Sequence, residues 1–457
     1  MMPGSRVVKE MVSLFLLTCT VSSAANAENL SEIFQLALQN DPILKQAKAN
    51  QLAIGESKDQ SIARFLPTLS ATGTSSRDRL HNKKAGGDFR GSQVNQNYWN
   101  NTFNLNLTQP LFHWEHWVQL SQSENQIVEA EASYQAELQN LMVKTATTYF
   151  RVLAAQDNLQ FSTAEKLAIS RQLDQAQERF EVGLIAITDV NEALAGYDQA
   201  SANEIEAANI LDNQKEALRE IIGDNAVVLN RLGEQLPLLK PEPADISAWS
   251  ESAETANLSI ISALNKAEIS RKTIDLQRSG HLPQLDLVAS YGASDVNSSF
   301  GLRGDTQSVG LQLNVPLFEG GAVNSRTRQA SYEYEAAKEN LTATKRAVKR
   351  QVKEAYRGLL SNISRVEALQ AAVKSTESAL EASQAGFEAG TRTMVDILAE
   401  QRNLYRVKRD YARARYDYLL DGIKLKQAAS SLSQDDLEQI NRLLTASTTI
   451  EEIKDQP

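Results

Sequence analysis

Two kinds of periodicity run along the chain, and each occurs in both halves. Phe103, Leu105 and Leu107 alternate with Asn104, Asn106 and Thr108. Val309, Leu311, Leu313 and Val315 alternate with Gly310, Gln312 and Asn314. Leu285, Leu287 and Ala289 do so less cleanly against Asp286, Val288 and Ser290. A period of two places alternate side chains on opposite faces of a sheet. Thr68 to Ser76 carries the weakest of the four strand patterns. The spacing predicts two hairpins, over 66–112 and 282–318, each with a loop rich in Gly, Asn, Ser and charge. One apolar and one polar face suit a membrane barrel, and equally a half-buried sheet of a soluble domain.

The remainder reads as helix. No proline falls between about 115 and 181, and the next glycine is Gly183. From 322 to 388 only Gly358 and Gly386 break a second proline-free run. Val352, Tyr356, Leu359, Ile363 and Val366 step by four, three, four and three, a heptad seam. A helix of this size would be roughly 100 Å long. Residues 31–64 and 187–222 predict two shorter helices that, end to end, match the first long one. Residues 252–279 and 394–428 predict the same beside the second.

The halves are copies. RFEVGLIAITDV at 179–190 returns as GFEAGTRTMVDI at 386–397, and Pro110-Leu111-Phe112 as Pro316-Leu317-Phe318. Leu66-Pro67 returns as Leu282-Pro283. A repeat of this kind fixes architecture before any other signal. It divides the chain into a first repeat (28–223), a proline-bearing connector (224–250), a second repeat (251–428), and a short helix with a polar tail (429–457). Turns at 182–186 and 389–393 join long helix to short, and Gly183 and Gly390 suit the positive φ that ends a helix.

The N-terminus changes the compartment. Arg6 and Lys9 precede an apolar stretch, Met11 to Val21, too short to span a bilayer, and Ala25-Asn26-Ala27 offers a small-residue cleavage site. Residues 1–27 therefore read as a secretory signal. Cys19 is the only cysteine, so the mature chain has no thiol chemistry. The formal charge of -10 argues against nucleic acid. No phosphate-binding glycine loop, zinc signature or nucleophile constellation is legible, and neither enzyme activity nor a cofactor nor a bound metal is expected. Four strands are too few to close a membrane barrel, so their edges must pair between protomers.

The duplication, the paired LP and PLF landmarks, RFEVGLIAITDV and GFEAGTRTMVDIL together resemble the TolC family of outer-membrane efflux and type I secretion channels. The resemblance covers nearly the whole mature chain. It implies a mainly α fold with a membrane β-barrel portion: duplicated helix–hairpin–helix halves in a homotrimer. A 12-stranded β-barrel would continue into a 12-helix tunnel closed at its periplasmic tip. It implies outer-membrane lipid, a periplasmic adaptor and an inner-membrane pump of ABC or RND type as partners. A dedicated drug- or metal-efflux duct is the nearest alternative, and a poreless periplasmic coiled-coil scaffold the more distant one.

By the same resemblance Gln172, Thr188, Asp189, Phe387 and Arg392 belong to the gate lock, with Arg392 pairing to Thr188 and Asp189 of a neighbouring coil. Asp396 would form the first carboxylate ring of the constriction. Two positions depart from the family pattern. Phe387 stands where a lock tyrosine is expected, and Ala399 where a second ring is expected. Glu400, one position on, is a candidate replacement. Without the family, Asp189 and Asp396 read simply as acidic residues in a helix first turn. Phe112, Trp114, Trp117 and Phe318 are expected in the aromatic girdle of the barrel. His113-Trp114-Glu115-His116-Trp117 has a spacing that could bind metal, but its place after a strand favours the girdle. Arg303-Gly304-Asp305 is expected in an outer loop.

Overall fold

The computed structural model describes residues 28–81, 95–225, 227–234, 236–297 and 303–445. The signal at 1–27 with Cys19, most of the first hairpin loop and the tail beyond 445 lie outside the described residues. The elements are α1 (Leu30–Asn40), α2 (Pro42–Ala63), β1 (Thr68–His81), β2 (Asn95–Phe112), α3 (Trp114–Glu181) and α4 (Ile187–Ile222). They continue with β3 (Arg231–Leu232), α5 (Ile246–Ala256), α6 (Leu258–Arg278), β4 (Gln284–Val296), β5 (Arg303–Asn314) and α7 (Ala322–Glu388). Last come α8 (Met394–Ala428), α9 (Gln434–Asn441) and β6 (Leu444–Thr445).

The four long strands form one antiparallel sheet in the order β1-β2-β4-β5, so β1 and β5 are open edges. Register sorts the side chains into rows. Leu69, Leu107, Ala289 and Val309 stand opposite one another across all four strands. The next row is Ser70, Asn106, Ser290 and Ser308. Directly paired residues share a face, so the first row is an apolar surface and the second a polar one. On the polar side the Ser290 and Ser308 hydroxyls lie 2.7 Å apart. Arg303 to Asp305 are the first residues of β5 rather than loop, because Arg303 Nε reaches Asp295 at 3.1 Å across the strand pair.

The long helices, α3 with 68 residues and α7 with 67, are each about 100 Å long. Every residue of the predicted heptad seam on α7 is buried. The shorter helices lie alongside: α2 and α4 on α3, α6 and α8 on α7. The flanking helix of each half is broken, where an unbroken one was expected. Asp41 ends α1, and its carboxylate accepts from the Leu44 amide at 2.8 Å to cap α2, with Pro42 at the first helical position. Asn257 separates α5 from α6 and caps α6 through the Ser259 and Ile260 amides. The second break also runs the expected connector into helix, since α5 begins at Ile246.

The two breaks do the same work. Asn40 Nδ2 donates to the carbonyl of Ile222, the last residue of α4, at 2.9 Å. Asn257 Nδ2 donates to the carbonyl of Ala428, the last residue of α8, also at 2.9 Å. Each junction thus satisfies a carbonyl that its own helix leaves unpaired. Around this level lies the main core, with Tyr149, Phe150, Leu30, Ile33 and Phe34 all but fully buried. Tyr149 donates to the Asn230 carbonyl at 2.8 Å, and Tyr416 donates to Asp157 at 2.6 Å. Burial raises the Asp157 carboxyl above its ordinary value against the lowering effect of that hydrogen bond.

Candidate functional site

The two turns after the long helices lie at the end opposite the sheet. Gly183 and Gly390 both have positive φ, 77° and 71°, which L side chains rarely adopt. Behind the turns sits a second apolar cluster. Met394 and Leu398 of α8 pack against Ile169, Leu173 and Ala176 of α3 and Ala193 and Ala200 of α4. Small residues on α4 admit them: a Cβ added to Gly196 would stand 3.4 Å from a Leu398 methyl. A partly buried ion pair ties α8 to α3, Arg409 Nη1 to Glu165 Oε2 at 3.0 Å.

The second turn is tightly self-bonded. The Gly386 carbonyl accepts from the Thr391 amide at 2.8 Å, the Thr391 hydroxyl at 2.9 Å and the Arg392 amide at 3.2 Å. Arg392 folds back so closely that a Cβ on Gly386 would lie 2.7 Å from its Cγ. Thr393 caps α8, and Asp396 completes a capping box, its Oδ2 accepting from the Thr393 amide and hydroxyl at 2.9 Å each. These donors, the backbone one first, hold the Asp396 carboxyl below its ordinary value. Asp396 is therefore both cap and fixed negative charge.

The first turn differs. Ala186 is the N-cap of α4 and offers no side-chain acceptor. Asp189 occupies the same helical position as Asp396, and its amide donates to the Ala186 carbonyl at 3.1 Å, but its carboxylate has no hydrogen bond or ion pair among the described residues. The Arg392 guanidinium likewise has no hydrogen bond within the described protomer. Thr188 is exposed, and Gln172, Asp189 and Phe387 are partly exposed. Phe387 has a partner that sequence reasoning missed. The Arg179 guanidinium, in the last turn of α3, lies 5.2 Å from the centre of its ring. Arg179 and Phe387 come from different halves and meet at the tip. Their spacing along the chain carries no signal of that meeting. Glu400 is partly buried and Ala399 exposed.

At the other end Phe112, Trp114, Trp117 and Phe318 are all exposed in the protomer, Phe318 at 88%. Trp117 meets Phe65 edge to face at 4.9 Å. Among the described residues no helix is long and apolar enough to cross a membrane.

The profile of the family described as outer membrane efflux protein matches residues 33–224 and 249–431. The chain belongs to that family. Outer membrane protein TolC of Vibrio cholerae is 37% identical over 441 residues, covering 95% of this chain and 98% of that protein. The alkaline protease secretion protein AprF of Pseudomonas aeruginosa is 29% identical, covering 91% and 87%. Among solved structures, the CmeC outer membrane channel of Campylobacter jejuni superposes with a TM-score of 0.76 at 17% identity, over 96% of this chain and 97% of that one. The efflux-protein fold is thus present almost end to end, and the chain is an outer-membrane protein whose sheet end lies in the membrane. The family profile omits 225–248, the proline-bearing link between the repeats.

Proposed function

We propose that the chain is one protomer of a homotrimeric duct for efflux and type I protein secretion, gated at its periplasmic tip and without enzymatic activity. The four-stranded sheet with two open edges carries this reading. Unpaired edge amides and carbonyls cannot face lipid, where no water satisfies them. Pairing β5 of one protomer with β1 of the next removes every edge, and three copies give 12 strands. The apolar row then faces lipid and the Ser70, Asn106, Ser290 and Ser308 row faces the lumen. Phe112, Trp114, Trp117 and Phe318 form the aromatic girdle at the membrane boundary.

At the tip, Arg392 of one protomer pairs with Thr188 and Asp189 of its neighbour, and Gln172 adds to that contact. Within each protomer Arg179 holds Phe387, so a cation–π contact stands where a tyrosine hydroxyl would otherwise bond. Asp396 lines the constriction. A periplasmic adaptor and an inner-membrane pump of ABC or RND type dock on the tip and open it. Mass measurement in detergent should give three chains per particle, and a planar bilayer should record cation-preferring channels. A stable folded monomer, or a protein that never conducts, would remove this reading.

Gly386→Ala offers a separable test of the gate. A helical alanine is about 1 kcal/mol more favourable than glycine. The added methyl nonetheless displaces Arg392, whose Cγ is 2.7 Å from the new Cβ position. The variant is expected to keep its thermal midpoint while conducting more in the resting state. A resting conductance equal to that of the parent would show that the folded-back Arg392 does not serve the lock.

A further inference from the structure

We propose that His113, Glu115 and His116 bind a divalent first-row transition-metal ion, zinc foremost, where the first hairpin enters α3. The stretch HWEHW divides by helical face. Trp114 and Trp117 are exposed, at 45% and 56%. The side chains of His113 and His116 are only 12% exposed, and their rings stack with centroids 4.7 Å apart. Each of the three residues offers a ligand atom, and all of these lie within 4.8 Å of one another.

The protonation pattern of His113 points the same way. Its Nε2 lies 2.9 Å from Asp286 Oδ1 on β4. A carboxylate only accepts, so that nitrogen carries the hydrogen and Nδ1 carries the lone pair. That Nδ1 is buried and has no hydrogen-bond partner. Buried polar atoms without partners are uncommon and call for one. Asp286, His113 and an ion would form a carboxylate–histidine–metal relay, in which the carboxylate fixes the ring and raises its basicity.

The distances are close to those needed. Glu115 Oε1 lies 3.7 Å from His113 Nδ1 and 3.9 Å from His116 Nε2. Tetrahedral zinc with ligands at about 2.0–2.1 Å has ligand–ligand edges of roughly 3.4 Å. The two glutamate edges must therefore close by about 0.3–0.5 Å, and the histidine–histidine edge, within 4.8 Å, by up to about 1.4 Å, which rotation of the rings out of their stack supplies. Two imidazoles and one carboxylate suit zinc rather than magnesium or calcium, which prefer all-oxygen shells. Glu115, 35% exposed in its side chain, leaves a route for the ion and a fourth position for water. Binding would clamp the first turn of α3 to β4, and so the tunnel to the barrel.

The full mature chain, purified in detergent without a histidine tag and stripped with chelator, should take up one zinc ion per chain by titration calorimetry. Cobalt(II) in its place should give the visible absorption of a low-coordinate nitrogen and oxygen site. His116→Ala should abolish binding. Glu115→Gln and Asp286→Asn should each weaken it by about tenfold or more. Trp114→Ala should leave it unchanged. Should His116→Ala fail to fold, Glu115→Gln decides, because that side chain is partly exposed and its replacement is isosteric. A parent protein that takes up no stoichiometric zinc, or equal uptake by the parent and Glu115→Gln, overturns the proposal.

Discussion

Asp396→Ala is expected to remove most of the block that a trivalent cation exerts from the periplasmic side. Thr393 holds that carboxyl below its ordinary value, so it is ionised at neutral pH. In the proposed trimer, three copies would gather three negative charges at one narrow level. Attraction for a multivalent cation grows with the number of charges and is only weakly screened in a confined passage. Ala399, three positions on, brings no charge to the constriction. Glu400 decides how complete the loss is. If it points outward, Asp396→Ala leaves almost no block and Glu400→Ala changes nothing. If it points inward, the ring has six charges, and each single variant loses only part. Because Asp396 also caps α8, Asp396→Asn serves as the control that keeps a capping oxygen while removing the charge. Single-channel recordings separate the cases. Undiminished block in the double variant would place neither residue at the constriction.

Arg392→Ser should raise resting conductance and antibiotic permeability, and Arg179→Ala should do so independently. The two act at different contacts. In the proposed lock Arg392 would carry the charge-assisted bond between protomers, and a serine could neither reach nor neutralise Asp189. Arg179 carries the contact within the protomer, 5.2 Å from the Phe387 ring. A cation–π contact at a partly exposed site contributes about 0.5–1 kcal/mol, and three copies together shift the open population by roughly tenfold or more. Phe387→Tyr keeps the ring for Arg179 and adds a hydroxyl, so it should lower resting conductance. Arg179→Lys should retain part of the contact. If Arg392→Ser leaves closed-state conductance unchanged, the lock lies elsewhere. If Phe387→Ala and Arg179→Ala add fully in the double variant, the two side chains do not act on each other.

Much of the architecture was legible because it rests on local rules. The long helices could be read from the absence of proline, and their ends from Gly183 and Gly390, where positive φ is required. The α7 seam at Val352, Tyr356, Leu359, Ile363 and Val366 was legible because burial on a helix repeats every three or four residues. The helix breaks at Asp41 and Asn257 were missed although both are capping residues. A cap signal in the middle of a helical pattern is weak until a second helix end supplies the carbonyl that Asn40 or Asn257 satisfies.

The sequence by itself determined the duplication, the four strands, the long helices and the tip turns, since each depends on neighbours a few positions apart. It also held the family signature, from which the roles proposed for Arg392 and Asp396 follow. Only the tertiary structure decided which distant groups meet. It brought Arg179 to Phe387, 208 positions along the chain, and Asp286 to His113, 173 positions away. It also distinguished Asp396, whose carboxylate is occupied by its own cap, from Asp189, whose carboxylate has no partner among the described residues. The reason is physical. Helix and strand periodicity are set by backbone geometry within a few residues, whereas the pairing of side chains between elements depends on how whole helices and strands pack, and no local pattern records that.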